Sequence, residues 1–205
     1  MIRPIITFRY APALDNHCRL LSGTLWKTKY GQIMGEKPYP SVDFLRELSI
    51  SREKIWGEKA VEVIQKLTEL LGFQFTEKEI LVYTVGFGQA HSDPVIIPSN
   101  FNEWEFVNVA THELIHRFLT FNTSNFNEDV VSPRLFPNES PTTAIHVVVN
   151  ALLQFVYINV LDEPQRLEWD KERSGDFYKK AWGIVEKEGY MNIIETVKAP
   201  HTARP

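Results

Sequence analysis

Cysteine is nearly absent from the sequence: Cys18 is the single cysteine in a chain of 205 residues. One cysteine cannot form a disulfide within the chain, and it cannot build a metal site from several thiolates. Such low cysteine usage is typical of proteins from reducing compartments. The first residues, 1–6, also lack an apolar run long enough for a secretory signal. We therefore expect a cytoplasmic location.

Long uninterrupted hydrophobic runs are missing as well. The longest apolar stretch, from Ile145 to Leu161, contains four polar side chains, which are His146, Asn150, Gln154 and Asn159. A membrane-spanning helix of about 20 residues seldom carries so many polar groups. The stretch predicts a buried helix, and we expect no membrane partner.

Neither sign of charge dominates the chain. It has 22 basic and 26 acidic residues, a formal net charge of −4, and the two signs are interspersed. Binding to nucleic acid would need a clustered basic face, so we expect no nucleic-acid partner. The length, with 43% hydrophobic residues, is sufficient for a real core. No repeat or linker is visible, so we predict one domain over residues 1–205, and the sequence contains no signal for its oligomeric state.

The most informative stretch is His112-Glu113-Leu114-Ile115-His116. On a helix of about 3.6 residues per turn, side chains four residues apart share a face, so His112 and His116 can bind one Zn²⁺. Glu113 lies to one side of the pair, where a carboxylate can accept a proton from a zinc-bound water without binding the metal itself. This is the His-Glu-x-x-His pattern of zinc hydrolases.

The surroundings of this motif are almost entirely apolar, from Phe106 to Leu119. Such a pattern predicts a buried helix, and burying two imidazoles and a carboxylate costs several kcal/mol unless something binds them. A bound metal explains these residues better than a helix face with two satisfied histidines. The sequence therefore predicts a zinc helix.

Other patterns predict a small sheet and several helices. Strands are predicted over residues 2–9, 80–85 and 95–97. Pro94 and Pro98 around the last strand indicate a sheet edge, because proline lacks the N–H of a central strand. That edge would suit pairing with an extended peptide, although a simple protected edge is an equal interpretation. Helices are predicted from Asp15 to Gly31, around Phe44, over 51–71, from a capping box at Asn102 to Phe121, and from Ser140-Pro141 to Leu161, with a loop over 122–140.

A catalytic zinc usually has three protein ligands and one open position. Leu119 and Asn122 stand where the metzincin pattern needs glycine and histidine, so that pattern is absent. The third ligand would then come from elsewhere: His146 on the predicted 141–161 helix, or Glu139 just before it. We predict His146, with Glu139 as the alternative ligand and a merely structural histidine as the other interpretation of His146.

The chain resembles a zincin metallopeptidase and is closest in layout to the gluzincins, in which a second helix carries a glutamate ligand and, four residues on, an aspartate that steadies a motif histidine. Here His146 and Asn150 stand at that spacing with different side chains. The resemblance implies that Asn150 accepts the N–H of His112 or His116 from outside the metal's ligand shell. It covers the two helices and, at most, the strands before them.

From these residues we expect a single α+β domain, with a small mixed sheet and an edge strand beside a helical core that carries the zinc helix. The expected function is a zinc-dependent metallopeptidase acting on peptides or proteins, with Glu113 as general base. The alternatives are a zinc-binding regulatory protein with little turnover and a zinc hydrolase of a non-peptide amide. Four residues are candidates for stabilising the oxyanion: Tyr157, Tyr178, His91 and Arg134.

Overall fold

The computed structural model describes residues 4–21, 38–73, 77–121, 126–173 and 175–198. In these ranges the chain forms eight α-helices and one four-stranded mixed sheet, which confirms the predicted α+β class. The elements are β1 (Ile5–Tyr10), α1 (Pro12–Leu21), α2 (Val42–Leu71), β2 (Glu79–Val85), β3 (His91–Ser92), β4 (Val95–Pro98), α3 (Glu103–Phe121), α4 (Glu128–Leu135), α5 (Pro141–Phe155), α6 (Gln165–Arg173), α7 (Asp176–Glu188) and α8 (Tyr190–Lys198). A π-helical segment, Val156–Val160, continues α5.

Contacts divide the chain into two compact units. Among the described residues, the sheet unit comprises those within 4–58 and 79–113, and the helical unit comprises those within 59–78 and 114–198. Helices α2 and α3 each run through a unit boundary without a break. The single domain expected over residues 1–205 stays a prediction.

The sheet has the strand order β1-β2-β4-β3. Strands β1, β2 and β4 are parallel, whereas β3 pairs antiparallel with β4 through His91–Ile96 and Ser92–Val95. The expectation that residues 95–97 form the sheet edge is therefore wrong, because the two-residue strand β3 covers the side that was expected to be open. Pro94 and Pro98 are tolerated because they stand at the two ends of this short strand.

The carbonyls at the end of β4 are bonded by a buried cation. Arg52 of α2 is 1% exposed and donates to the carbonyls of Ile97 at 2.8 Å and Pro98 at 2.6 Å. Its guanidinium also lies over the ring of Phe106, 4.6 Å from the centroid. Strand β3 already pairs with the outer side of β4, so the peptide-pairing interpretation of this strand loses its support.

Helix α2 is longer than the sequence predicted. A helical turn near Phe44 and a separate helix over 51–71 were expected, but one helix runs from Val42 to Leu71. Ser49, between the two predicted segments, lies within the helix and donates its hydroxyl to the carbonyl of Leu45 at 2.9 Å. Helix α1 is described to Leu21, and the rest of the helix expected as far as Gly31 lies outside the described residues.

The predicted loop over 122–140 contains a helix. Residues 122–125 lie outside the described ranges, but Glu128–Leu135 forms α4. Asn127 caps it by accepting the N–H of Asp129 at 3.1 Å, and two acidic residues occupy the first turn, where they favour a helix N-terminus. Pro133 lies inside the helix, where it lacks the backbone N–H of other residues.

Helix α5 begins where it was predicted. The Ser140 hydroxyl accepts the N–H of Thr143 at 3.2 Å, and Pro141 occupies the first turn. By length and composition, Pro141–Val160 is the one helix in the described chain that could cross a membrane, a test that buried core helices also pass. Its apolar side chains Val147, Val148, Leu152 and Leu153 are 0% exposed. The expected buried helix is confirmed.

Candidate metal centre

Helix α3 positions the two motif histidines one turn apart. Its capping box forms as predicted, because Asn102 accepts the N–H of Glu105 at 2.9 Å and Glu105 accepts that of Asn102 at 3.1 Å. Near its other end, Arg117 makes a two-pronged ion pair with Glu77, with N–O distances of 3.0 and 2.5 Å. The helix is thus fixed on both sides of the motif. His116 is 9% exposed, and His112 is half-buried.

Helix α5 provides the third histidine. His146 is 7% exposed, and its ring centroid lies 5.1 Å from that of His116 at an interplanar angle of 74°. On its other side, the ring meets Tyr178 of α7 at 4.2 Å between centroids. The imidazole is therefore enclosed by aromatic and histidine rings, and its orientation is restricted.

The three histidines are close enough to share a metal ion. Each offers one ring nitrogen, and the three nitrogens lie within 4.8 Å of one another. In the described ranges, His112, His116 and His146 form the group of potential ligands that is brought together in this way. Imidazole nitrogen suits divalent zinc, copper, iron and nickel. The prediction that these residues converge on a candidate metal site is confirmed.

Glu139, the alternative third ligand, is engaged elsewhere. Its carboxylate oxygen lies 2.5 Å from the Nζ of Lys180 on α7, and the residue does not belong to the group of potential ligands. This ion pair offsets the negative charge of the carboxylate, which would otherwise attract a metal cation. The geometry therefore favours His146 over Glu139.

Two of the histidines are oriented by hydrogen bonds through Nδ1. His146 Nδ1 lies 2.7 Å from the backbone carbonyl of Thr142, and His116 Nδ1 lies 2.8 Å from Oε2 of Glu128. A carbonyl or an ionised carboxylate only accepts, so in each pair Nδ1 donates its hydrogen. In a neutral ring the lone pair is then on Nε2, which is the tautomer needed for a metal bond through that nitrogen.

Glu128 is a residue beside the candidate metal site that the sequence did not reveal. The residue is 7% exposed, and both carboxylate oxygens have partners: Oε2 is bonded to His116, and Oε1 accepts the hydroxyl of Thr120 at 2.9 Å. The sequence placed it in a loop because Asn, Ser and Pro surround it. The local signal that it starts a helix was Asn127 followed by two acidic residues.

Burial keeps His146 neutral. The removal of the ring from water, together with the nearby His116, lowers the pKa of His146 to about 4. A histidine must be neutral to bind a metal, since protonation occupies the lone pair. At neutral pH this ring is therefore in the protonation state that a ligand needs.

Asn150 does not make the contact that was predicted for it. The residue is 1% exposed and lies one turn after His146, but in the described chain neither its Oδ1 nor its Nδ2 has a hydrogen-bond partner. The predicted bond from His112 or His116 to Asn150 is therefore not formed. The carboxylate of Glu128 takes that place at His116.

The catalytic candidates occupy different environments. Glu113 directly follows His112 and is half-buried. Of the four oxyanion candidates, Tyr178 contacts His146, whereas Tyr157 is 0% exposed within the π-helical segment and its hydroxyl has no partner among the described residues. His91 on β3 and Arg134 on α4 are exposed.

Comparisons of the chain with protein-family models, with curated proteins and with solved structures found no match. What can be said of function therefore comes from this site. The chain is an α+β protein with three clustered histidines compatible with a metal ion.

Proposed function

We propose that this protein is a zinc-dependent metallopeptidase, with His112, His116 and His146 as zinc ligands and Glu113 as general base. The observation that carries the proposal is the convergence of three imidazoles from α3 and α5, one of them directly followed by a half-buried carboxylate. A structural zinc site normally has four protein ligands, whereas catalytic sites usually have three. Three ligands and an adjacent base therefore favour catalysis.

The donor set fits zinc. Nitrogen ligands bind four-coordinate zinc at roughly 2.0–2.1 Å, which separates the nitrogens by about 3.4 Å. The three nitrogens here lie within 4.8 Å of one another, so a modest closure of the rings suffices. Two of the rings are held in the tautomer with the lone pair on Nε2. Copper, nickel or iron would also accept imidazole, and Glu113 favours zinc because that carboxylate has a role in hydrolysis.

Different residues of the chain then have different roles in hydrolysis. The chemistry that zinc supplies in such a site is a water of lowered pKa and a polarised substrate carbonyl. Glu113 accepts a proton from the attacking water, whose oxygen bonds to the carbonyl carbon. The same carboxyl group then gives the proton to the leaving nitrogen as the C–N bond breaks. Tyr178, in contact with His146, is the best-placed of the candidate donors to the oxyanion.

The test compares wild type, Glu113→Gln and the control Glu103→Gln. Glu103 is an exposed residue at the start of the same helix, so the control makes the same chemical change away from the site. Each protein is assayed for bound zinc and for cleavage of a mixed peptide library. We expect one zinc in all three proteins, cleavage by wild type and Glu103→Gln, and a loss of about 10²–10⁴-fold in Glu113→Gln.

The other outcomes overturn the proposal in distinct ways. A wild type that holds no zinc removes the metal site. Zinc-loaded wild type without peptide cleavage favours the zinc-binding regulatory protein, unless small amide substrates are hydrolysed, in which case the non-peptide hydrolase is the better description. Equal cleavage by wild type and Glu113→Gln removes Glu113 as the base.

A further inference from the structure

The predicted ligand set carries no charge of its own, because it consists of three neutral imidazoles. A divalent ion on three such ligands keeps its full double charge, in a region where His116 and His146 are nearly buried. Burying uncompensated charge is costly. A negative group nearby that does not itself bind the metal would therefore stabilise the bound ion.

Glu128 has the position and the environment for that role. Its carboxylate lies 2.8 Å from Nδ1 of His116, and the residue is 7% exposed. Thr120, one turn after His116 on α3, donates its hydroxyl to the other oxygen at 2.9 Å. The carboxylate is thus held between two residues of the zinc helix by hydrogen bonds to both of its oxygens.

We infer that Glu128 is the positioning residue of the metal centre: it fixes the tautomer and the ring orientation of His116 and supplies the negative charge that the three ligands lack. An ionised partner on the far side of a ligand ring raises the basicity of the ring, and removal of such partners typically weakens metal binding about 10–100-fold. The inference rests on the metal site of the proposed function and not on its peptidase chemistry.

Two variants that each remove one carboxylate charge from α4 separate this role from the general effect of losing a negative charge. Glu128→Gln removes the charge beside His116 with little change of shape. Asp129→Asn removes the same charge from the next residue of α4, which is exposed and takes part in the cap through its backbone N–H. Zinc dissociation constants are measured by competition with a chelating dye, and the melting temperature of each metal-free protein shows whether it is folded.

We expect Glu128→Gln to bind zinc about 10–100-fold more weakly than wild type and Asp129→Asn to stay within about threefold. Nitrogen NMR of the imidazoles of metal-free wild type provides a measurement that does not depend on any variant. His116 should carry its proton on Nδ1 and the lone pair on Nε2.

The failures are distinguishable. If zinc binds wild type and Glu128→Gln equally well, or if His116 carries its proton on Nε2 in wild type, the role of Glu128 is refuted while the metal site stands. If Glu128→Gln does not fold, the NMR result alone decides. A wild type without affinity for zinc overturns the proposed function and this inference together.

Discussion

Replacing His146 by alanine should remove most of the stabilisation that zinc gives to the folded protein. Ligand present at about 100 times its dissociation constant stabilises a fold by about 2.7 kcal/mol. For a chain of this size, each kcal/mol raises the melting temperature by about 2–4 °C, so wild type should gain roughly 5–11 °C. The gain is measured as the difference between melting curves with and without zinc.

The loss of zinc stabilisation in His146→Ala follows from the number of ligands that remain. Structural zinc sites with four ligands have apparent binding free energies of about 10–16 kcal/mol, or about 3 kcal/mol per ligand, which corresponds to roughly a hundredfold in affinity. At the same zinc concentration His146→Ala would be half-saturated and would gain only about 0.4 kcal/mol, or about 1–2 °C. Any loss of packing against Tyr178 affects both curves and cancels in the difference.

The matched control is His91→Ala, which removes an exposed histidine of β3 outside the cluster and should keep the full gain. The reasoning is refuted if His146→Ala gains as many degrees from zinc as wild type does. That result would mean that α5 supplies no ligand and that the ring of His146 is a packed core group. If zinc no longer raises the melting temperature of His91→Ala, zinc binds at a site other than the cluster.

Two further predictions concern buried polar groups. Tyr157→Phe should raise the free energy of unfolding of the metal-free protein by about 1–3 kcal/mol, as measured by urea titration. The reason is that the Tyr157 hydroxyl is 0% exposed and has no partner in the described chain. A decrease in the free energy of unfolding would contradict this prediction. Burial lowers the pKa of Arg52 to about 9, so the guanidinium is still protonated at pH 7. Arg52→Met should cost about 2–6 kcal/mol in the same assay, because the carbonyls of Ile97 and Pro98 lose their donor, and a cost below about 1 kcal/mol would refute that role.

The parts of the site that the sequence predicts are those governed by local rules. The spacing of His112 and His116 is set by the helical repeat, and the start of their helix by the reciprocal bonds of Asn102 and Glu105. His146 follows from the same logic, since the capped start at Ser140 fixes the position of the residue on its helix. Helical period and capping chemistry act over a few residues, so they can be seen without a fold.

The parts that the sequence misses depend on which side chains meet across elements. Glu128 and Asn150 are both buried polar residues, and helical periodicity alone favours Asn150 because it lies one turn after His146. The structure pairs His116 with Glu128, twelve residues along the chain, on a helix hidden by loop-like composition. The sheet edge was missed for a similar reason, because a strand of two residues, His91–Ser92, has no period to detect.

The three neutral histidines and the buried carboxylate of Glu128 together determine the charge of the proposed metal site. In the gluzincin layout that the sequence resembles, a glutamate ligand carries negative charge at the metal, and here His146 stands at that helix position. In the proposed metal site negative charge would still be present, because the carboxylate of Glu128 lies against Nδ1 of His116 and not among the ligands. A ligand bound directly would reduce the positive charge of the ion more strongly than one acting through an imidazole. A zinc ion bound by these three histidines should therefore be more electrophilic than one in a two-histidine, one-glutamate site.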